Sequence, residues 1–203
     1  MAGVQVRRAT AEDLPRLAGV LAQAFSGDPP MSWFVPDERR RESLLQHYFG
    51  AALPKVYMRM GEVWKCEEPL GAALWVRPGR SPVTLRDELP VLPALLRTFG
   101  RRPVRAWRGL GAIERGHPSE PHWYLEYIGV SATARSRGAG SALLQAQLEQ
   151  CDRDGSAAYL NAGSERSRDL YARHGFEVTE RFELPDGGPP LWRMWREAQR
   201  TST

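Results

Sequence analysis

The sequence predicts a single-domain protein of the mixed α/β class. Segments that alternate with a two-residue period, typical of strands, are separated by segments whose apolar residues recur at helical spacing. Neither an internal repeat nor a linker divides the chain. Its 203 residues are enough for one hydrophobic core and few for two. We therefore expect residues 1–203 to form one domain.

The chain begins with a predicted strand and a capped helix. Residues 4–8 alternate, and Thr10 is followed three residues later by Asp13, a spacing typical of a helix start. Apolar residues then recur at helical spacing as far as Phe25, and Gly27 to Pro30 would end the helix. The remaining elements predicted in this half are a helix over 37–52 and a β-meander with strands at 56–60, 62–68 and 71–78.

The middle segment, 84–116, has a different character. Leucines recur at helical spacing, but Pro90, Pro93 and Pro103 break the pattern into short pieces. Arginines crowd its second part. Two interpretations stay open: a solvated helical face packed on the sheet, or a variable lid over a substrate pocket.

The second half alternates regularly between strands and helices. A loop at 131–138 precedes a helix that continues to Cys151, and another helix is predicted from Ser164 to Arg173. The predicted strands of this half are 122–130, 157–162, 176–184 and the closing segment 191–197.

Composition excludes several classes of protein. No apolar run approaches the ~20 residues of a membrane span, and the first residues lack the apolar region of a secretory signal. Two cysteines, Cys66 and Cys151, are too few for a disulfide framework and form no metal motif, so we expect a cytoplasmic protein without a metal. The net charge of +4 is mild, and all but two of the 28 basic residues are arginine. Because arginine suits phosphate, nucleic acid remains a weak alternative partner.

One stretch carries a specific chemical signal. The strand ending at Val130 runs into a short loop that opens a helix, and the free N–H groups of a helix start bind anions. Gly138 and Gly140 would let a pyrophosphate approach the backbone, and Arg135 and Arg137 could neutralise its charge. The pattern matches neither a Walker loop nor the dinucleotide-binding glycine motif.

In this context the loop resembles a known signature. Arg135-x-x-Gly138-x-Gly140 is similar to the Q/R-x-x-G-x-G/A motif of the GNAT acetyltransferase superfamily, and residues 170–176 (LYARHGF) resemble its L-Y-x-x-x-G-F segment. The opening strand and helix also match, so the resemblance covers essentially the whole chain. Within the superfamily the chain looks most like the puromycin N-acetyltransferase branch, on four short segments: Pro121-His122-Trp123, Tyr159-Leu160, Val178-Thr179 and Leu184-Pro185.

The resemblance implies a fold and a cosubstrate. The sheet would be mixed and mostly antiparallel, with helices on both faces, and would splay open where acetyl-CoA binds. Two departures matter: Ser167 stands where many relatives carry Asn, and Asn161 where the puromycin-modifying branch carries Glu, which makes puromycin itself questionable. The residues implied in acetyl-CoA binding are Ile128, Gly129, Val130, Arg135, Ser136, Arg137, Gly138, Ala139, Gly140, Ser141, Asn161 and Ser167.

Two residues are candidates for the chemistry of direct amine attack. Tyr171 matches the tyrosine that the superfamily commonly places near the thioester sulfur, where a phenol can donate a proton; the alternative is an aromatic packed under the sheet. Glu126 lies in an otherwise apolar strand, where burial would raise its pKa into the range of a general base. Alternation would place it on one face with Tyr124, Ile128 and Val130. The alternatives are a carboxylate paired with arginine, and His122 or water as the base.

The function that follows is N-acetylation of a small-molecule amine, with an antibiotic or another secondary metabolite as a candidate acceptor. Trp33 and Tyr124 are the predicted substrate-binding residues. Acetylation of a protein or peptide amine, a CoA-binding module without chemistry, and nucleic-acid binding by the arginine cluster are the alternatives. We expect a monomer or homodimer that does not associate with membranes.

Overall fold

The computed structural model describes residues 4–67, 70–80, 82–83, 85–131 and 138–199. These residues build one seven-stranded sheet in the order β1-β2-β3-β4-β5-β7-β6. Neighbouring strands are antiparallel, except that β4 and β5 run parallel. The strands are β1 Val6–Arg8, β2 Gly61–Cys66, β3 Gly71–Val76, β4 His122–Val130, β5 Ala157–Ala162, β6 Glu177–Glu183 and β7 Pro190–Arg196.

Nine α-helices lie among the described residues. A short 3₁₀ turn, Ala11–Asp13, leads into the first helix, and Thr10 and Asp13 form the expected capping box. The helices are α1 Leu14–Ser26, α2 Pro29–Phe34, α3 Glu38–Ala52, α4 Met58–Met60, α5 Leu85–Glu88, α6 Leu92–Phe99, α7 Pro103–Glu114, α8 Ala139–Asp154 and α9 Glu165–Ala172.

Helices cover both faces of the sheet, as predicted. On one face α1 and α3 pack on the central strands and bury Leu17, Leu21 and Phe49 completely. On the other face α8 buries Leu143 and Leu144 against β3 and β5. Strand β3 is buried at every position because both of its faces carry a core. Strand β6 lies at the sheet edge, and its exposed charges protect that edge from further pairing.

The segment between β3 and β4 forms helices α5 to α7. Helix α6 packs on α3, where Thr98 donates a hydrogen bond to the Leu44 carbonyl over 3.0 Å. Helix α7 packs on α2 so closely that a Cβ at Gly109 would lie 2.6 Å from the Trp33 ring. The leucine spacing thus predicted helices correctly, but α6 and α7 pack on α3 and α2 and not on the sheet as the first interpretation expected, because those two helices already lie between them and the strands.

The secondary structure differs from the sequence predictions at residues 56–60 and at α2. Residues 56–60 are not a strand. Leu53–Tyr57 form a π-helical turn that continues into α4, and this helical conformation buries Val56, Tyr57 and Met60 in the core. Helix α2 was not predicted, since Asp28-Pro29-Pro30 reads as a stop but in fact starts a new helix with proline in its first turn. Among the described residues no helix has the length and apolar character needed to cross a membrane.

Candidate active site

A β-bulge places Glu126 in β4. Leu74 of β3 pairs with Tyr127 and Trp75 pairs with Leu125, so Glu126 is the extra residue between them. The bulge corrects the predicted alternation. Tyr124 packs in the core beside α1 and α3, whereas Ile128 and Val130 pack on the opposite face.

Strands β4 and β5 separate at the same point. Their parallel pairing covers His122 to Leu125 on β4 and ends at Leu160 on β5. From Glu126 to Val130, β4 pairs only with β3 among the described residues, so its other backbone edge lacks a strand partner. Gly129 lets α1 pack directly against this part of β4, since a Cβ there would lie 2.9 Å from the Cβ of Ala24. The splayed opening that the sequence predicted is present.

Glu126 lies in an environment that disfavours its charge. Its Oε2 atom is buried and makes no hydrogen bond within the described residues. Burial, and secondarily the charge of Glu88, raises the pKa of Glu126 to about 8. The charge of Glu126 in turn contributes to the raised pKa values of Tyr124 and Tyr127. A carboxyl group with this pKa can take up and release protons near neutral pH.

A cluster of tyrosines connects Glu126 to Glu88 of α5. The Tyr48 hydroxyl donates to Oε1 of Glu88 over 2.8 Å and lies 3.4 Å from the Tyr57 hydroxyl. The Tyr57 and Tyr127 rings meet edge to face with their centroids 5.8 Å apart. Burial raises the pKa of Glu88, and the Tyr48 hydrogen bond offsets this in part. Glu88 and the three phenols therefore lie on one side of the sheet. The charge of Glu126 contributes to the raised pKa values of Tyr57 and Tyr127.

A third carboxyl group lies beside Tyr171. Asp28, between α1 and α2, accepts a hydrogen bond from the Met31 backbone N–H over 3.2 Å. A Cβ at Gly163, directly after β5, would lie 3.2 Å from the other carboxylate oxygen of Asp28. Burial raises the pKa of Asp28 to about 6. Tyr171 is buried, and burial together with the Asp28 charge raises its pKa, so its phenol stays protonated at neutral pH.

Asn161 and the histidines near β4 are engaged with protein groups. The Tyr159 hydroxyl donates to the Asn161 side-chain oxygen over 3.1 Å, and the Asn161 amide lies 3.4 Å from the Tyr124 hydroxyl. His122 is buried, with one ring nitrogen 2.6 Å from the Glu120 carbonyl and the other 3.2 Å from His117. Burial lowers the pKa of His122. Both ring nitrogens of His122 thus contact protein groups.

The predicted phosphate loop is described only at its end. Arg135, Ser136 and Arg137 lie outside the described residues. Gly138 has a left-handed backbone, φ +81°, at the N-cap of α8, which explains why glycine stands there. The remaining predicted loop residues, Ala139, Gly140 and Ser141, form the first turn of α8.

Ser167 and Trp33 have structural partners. The Ser167 hydroxyl donates to the Ser164 carbonyl over 2.8 Å within the capping box of α9. Trp33 is buried between Phe34, the Gly109 backbone and the Arg105 guanidinium, whose carbon lies 4.3 Å from the ring centroid. Its Nε1 has no hydrogen-bond partner among the described residues. Roles of these residues toward ligands remain predictions.

Sequence reasoning missed Asp28 and Glu88. Asp28 lies within a Gly-Asp-Pro-Pro run, whose composition indicates only a turn. Glu88 follows Arg86 and Asp87 in a polar stretch typical of a solvated surface. Only the packing of α5 against α3 brings the Glu88 carboxylate to Tyr48.

Comparisons with known proteins agree with this architecture. A model of the acetyltransferase (GNAT) family matches residues 100–176, a range that contains Glu126 and Tyr171. A crystal structure from Corynebacterium glutamicum, described as histone acetyltransferase HPA2 and related acetyltransferase, is 30% identical with a TM-score of 0.77 and covers all of both chains.

Two further proteins are similar over almost the whole chain. An uncharacterized N-acetyltransferase of Schizosaccharomyces pombe is 25% identical over 211 residues, which cover 97% of this chain and 84% of that protein. A polyamine N-acetyltransferase of Drosophila melanogaster, described as forming N-acetylagmatine, has 15% identity and a TM-score of 0.64 over 96% of this chain and 99% of that chain. The second comparison concerns the fold alone.

Proposed function

The chain belongs to the GNAT acetyltransferase family, and from that premise we propose that it transfers an acetyl group from acetyl-CoA to a small-molecule amine. The observation that carries the proposal is Glu126. It is a carboxyl group with a pKa near neutrality, at the bulge where β4 and β5 part. An amine that reacts must lose a proton, and this group is able to take it.

The residues beside the opening fit acetyl-CoA. The backbone of Ile128, Gly129 and Val130 lies on the edge of β4 that lacks a strand partner, and a pantetheine chain could supply the missing hydrogen bonds. The start of α8, opened by Gly138, suits the pyrophosphate. When bound, acetyl-CoA supplies a thioester whose carbonyl carbon an amine can attack.

The protein's own groups then manage the protons. Glu126, as a carboxylate, takes a proton from the acceptor ammonium, directly or through water, so that the nitrogen lone pair becomes available. A C–N bond forms and the C–S bond breaks. The Tyr171 phenol donates a hydrogen bond or its proton to the leaving sulfur. Burial and the Asp28 charge raise the pKa of Tyr171, so its phenol serves the sulfur as a hydrogen-bond donor and not as a strong acid.

The surroundings favour a small acceptor over a protein tail. The name of the Corynebacterium relative refers to histone acetylation, which would need an open groove for a basic peptide. Here α7 packs directly on Trp33 and Phe34 of α2, and so covers the predicted substrate-binding residue Trp33. The acetylation of an antibiotic, as the likeness to the puromycin branch suggests, stays within this proposal. Asn161 in place of Glu argues against puromycin itself.

The test is a screen for acetyl-CoA consumption. The wild-type protein is assayed by thiol release over a panel of small amines, an aminonucleoside and a lysine-containing peptide, with Glu126→Gln and the exposed-residue control Glu149→Gln alongside. We expect turnover of at least one small amine, a loss of about 10²-fold or more in Glu126→Gln, and no loss in the control. Turnover of the peptide alone, or of nothing in the panel, would contradict the proposal.

A further inference from the structure

Arg41 of α3 is a buried cation without an acidic partner. Its side chain is 9% exposed, and no carboxylate among the described residues forms an ion pair with it. The other buried lysine and arginine side chains in the described part of the chain each contact a carboxylate, as Lys65 contacts Asp13 at 2.6 Å. Burying a charge is costly unless nearby polar groups compensate it. The groups that contact Arg41 must therefore supply that compensation.

Two backbone carbonyls accept the hydrogen bonds of Arg41. Its Nε atom donates to the Val35 oxygen over 2.6 Å, and its Nη1 atom donates to the Ser26 oxygen over 2.7 Å. Ser26 ends α1 and Val35 directly follows α2, so both carbonyls belong to helix C-termini. Because each C-terminus carries about half a unit of negative charge, the two together offset one guanidinium. Arg41 thus joins both ends of the segment 26–35 to α3.

The segment 26–35 lies against two parts of the candidate site. Asp28 packs beside the end of β5, where a Cβ at Gly163 would lie 3.2 Å from its carboxylate. Trp33 packs beside the turn between β6 and β7, where a Cβ at Gly188 would lie 2.8 Å from its Nε1 atom. A shift of the segment would therefore move both side chains relative to the strands that border the splayed opening.

Resting on the proposed function, we propose that Arg41 is a positioning residue of the acceptor site. By joining both ends of the segment 26–35 to α3, it holds Asp28 and Trp33 in place beside the opening. A guanidinium suits this role, because its planar group presents several N–H donors in fixed directions and stays charged at every working pH. Arg41 acts through the segment and not on the substrate.

The kinetic test uses Arg41→Met, which keeps an unbranched apolar stem and deletes the donors. With the best amine of the panel we expect the acceptor KM to rise about tenfold or more, and kcat to change less, because small displacements of binding groups weaken productive binding. Calorimetric affinity for acetyl-CoA should stay within about twofold, since its proposed contacts lie on β4 and α8. Arg41→Lys keeps the charge and a donor, and should give an intermediate KM.

The neighbouring arginine supplies the matched control. Arg40 lies in the same helix and is exposed, so Arg40→Met introduces the same side chain without removing a buried contact. It should leave the acceptor KM and the acetyl-CoA affinity at their wild-type values.

Hydrogen exchange tests the same inference without activity. In Arg41→Met the amides of residues 31–35 should exchange about tenfold or more faster, because both ends of their segment are released, while the amides of α8 keep their wild-type rates. Arg40→Met should change neither set. If Arg41→Met does not fold, Arg41→Lys takes its place in both measurements, with smaller changes in the same direction.

The outcomes separate this inference from the proposed function. An unchanged acceptor KM in Arg41→Met, or an equal loss of affinity for acetyl-CoA, overturns the inference even if amines are acetylated. If the wild type acetylates no amine, the proposed function fails, and hydrogen exchange still decides. Faster exchange confined to 31–35 supports Arg41 as the residue that holds the segment, whereas unchanged or uniformly faster exchange overturns it.

Discussion

Glu126 owes its position to one extra residue in β4. Without the bulge between Leu125 and Tyr127, strict alternation would continue and Ile128 would share the face of Tyr124. With the bulge, Tyr127 packs toward α1 and α3, and the β4 edge beyond Leu125 is free of β5. The bulge thus lies where β4 and β5 part, and it positions the residue that we propose as the base.

Tyr171 is the second residue on which the proposed chemistry depends. Tyr171→Phe keeps the ring that packs against Phe176, 6.1 Å between centroids, and deletes the hydroxyl alone. We expect kcat to fall by about 10²-fold with little change in acetyl-CoA affinity, because the lost group acts on the leaving sulfur. Steady-state kinetics and calorimetry with CoA measure the two effects. Near-normal turnover would assign Tyr171 to packing alone.

Single residues show what the sequence can and cannot predict. A glutamate within an apolar strand is visible in the sequence, so Glu126 could be named as a candidate. Its bulge could not, since the bulge depends on pairing with Leu74 and Trp75 some fifty residues away. Glu88 was missed for the same reason, since its partner Tyr48 lies in α3, whereas Asp28 was missed because Asp28-Pro29-Pro30 was taken for the end of one helix and not for the cap of the next.

At the scale of elements, the start of α8 is the proposed pyrophosphate site. Gly138→Val adds bulk and strains a backbone with φ +81°. We expect CoA affinity to fall by about tenfold or more while the protein remains folded, because the N–H groups of the first turn can no longer meet the phosphates.

The other end of the same helix supplies the control. Gly155 also has a positive φ, +66°, and also has open space where a Cβ would lie. Gly155→Val should therefore cost similar stability and leave CoA affinity intact. Thermal melts and calorimetry on both variants measure this. Equal CoA affinity in the two variants would contradict a role of Gly138 in binding the pyrophosphate.

Elements whose apolar residues recur with a clear period were predicted well. Elements whose conformation depends on tertiary packing were not. The bounds of β4 and β5 coincide with the predicted 122–130 and 157–162. The apolar run at 56–60 reads as a strand, yet it continues from α3 through a π-helical turn that buries Val56 and Tyr57. A short apolar run does not distinguish the two states.

At the scale of the whole molecule, the segment between β3 and β4 acts as a cover over α2. Gly109→Val would force α7 away from Trp33 and Phe34, which lie within 2.9 Å of the added Cβ. We expect a loss of about 1–3 kcal/mol in the free energy of unfolding, as for overpacked cores. If the segment is a lid, the KM of the acceptor should also rise while acetyl-CoA affinity is kept.

A substitution at a neighbouring glycine of α7 distinguishes a change in acceptor binding from the loss of helix propensity that any valine in this helix causes. At Gly111 an added Cβ meets only the Arg115 side chain at an ordinary 3.6 Å. Gly111→Val introduces the same side chain into the same helix and should leave the acceptor KM unchanged. Denaturant unfolding and kinetics compare the pair. The same KM in both variants would make the segment a structural cover without a role in acceptor binding.

The most direct measurement is the pH dependence of kcat/KM in the wild type and in Glu126→Gln. The raised pKa of Glu126 predicts that wild-type activity increases up to a pH of about 8 as the carboxylate forms. Glu126→Gln depends on amine that is already neutral, so its loss should be largest at neutral pH and below, and should shrink as the pH approaches the amine's own pKa, about 10. A loss that is the same at every pH, or no loss at all, would contradict Glu126 as the base.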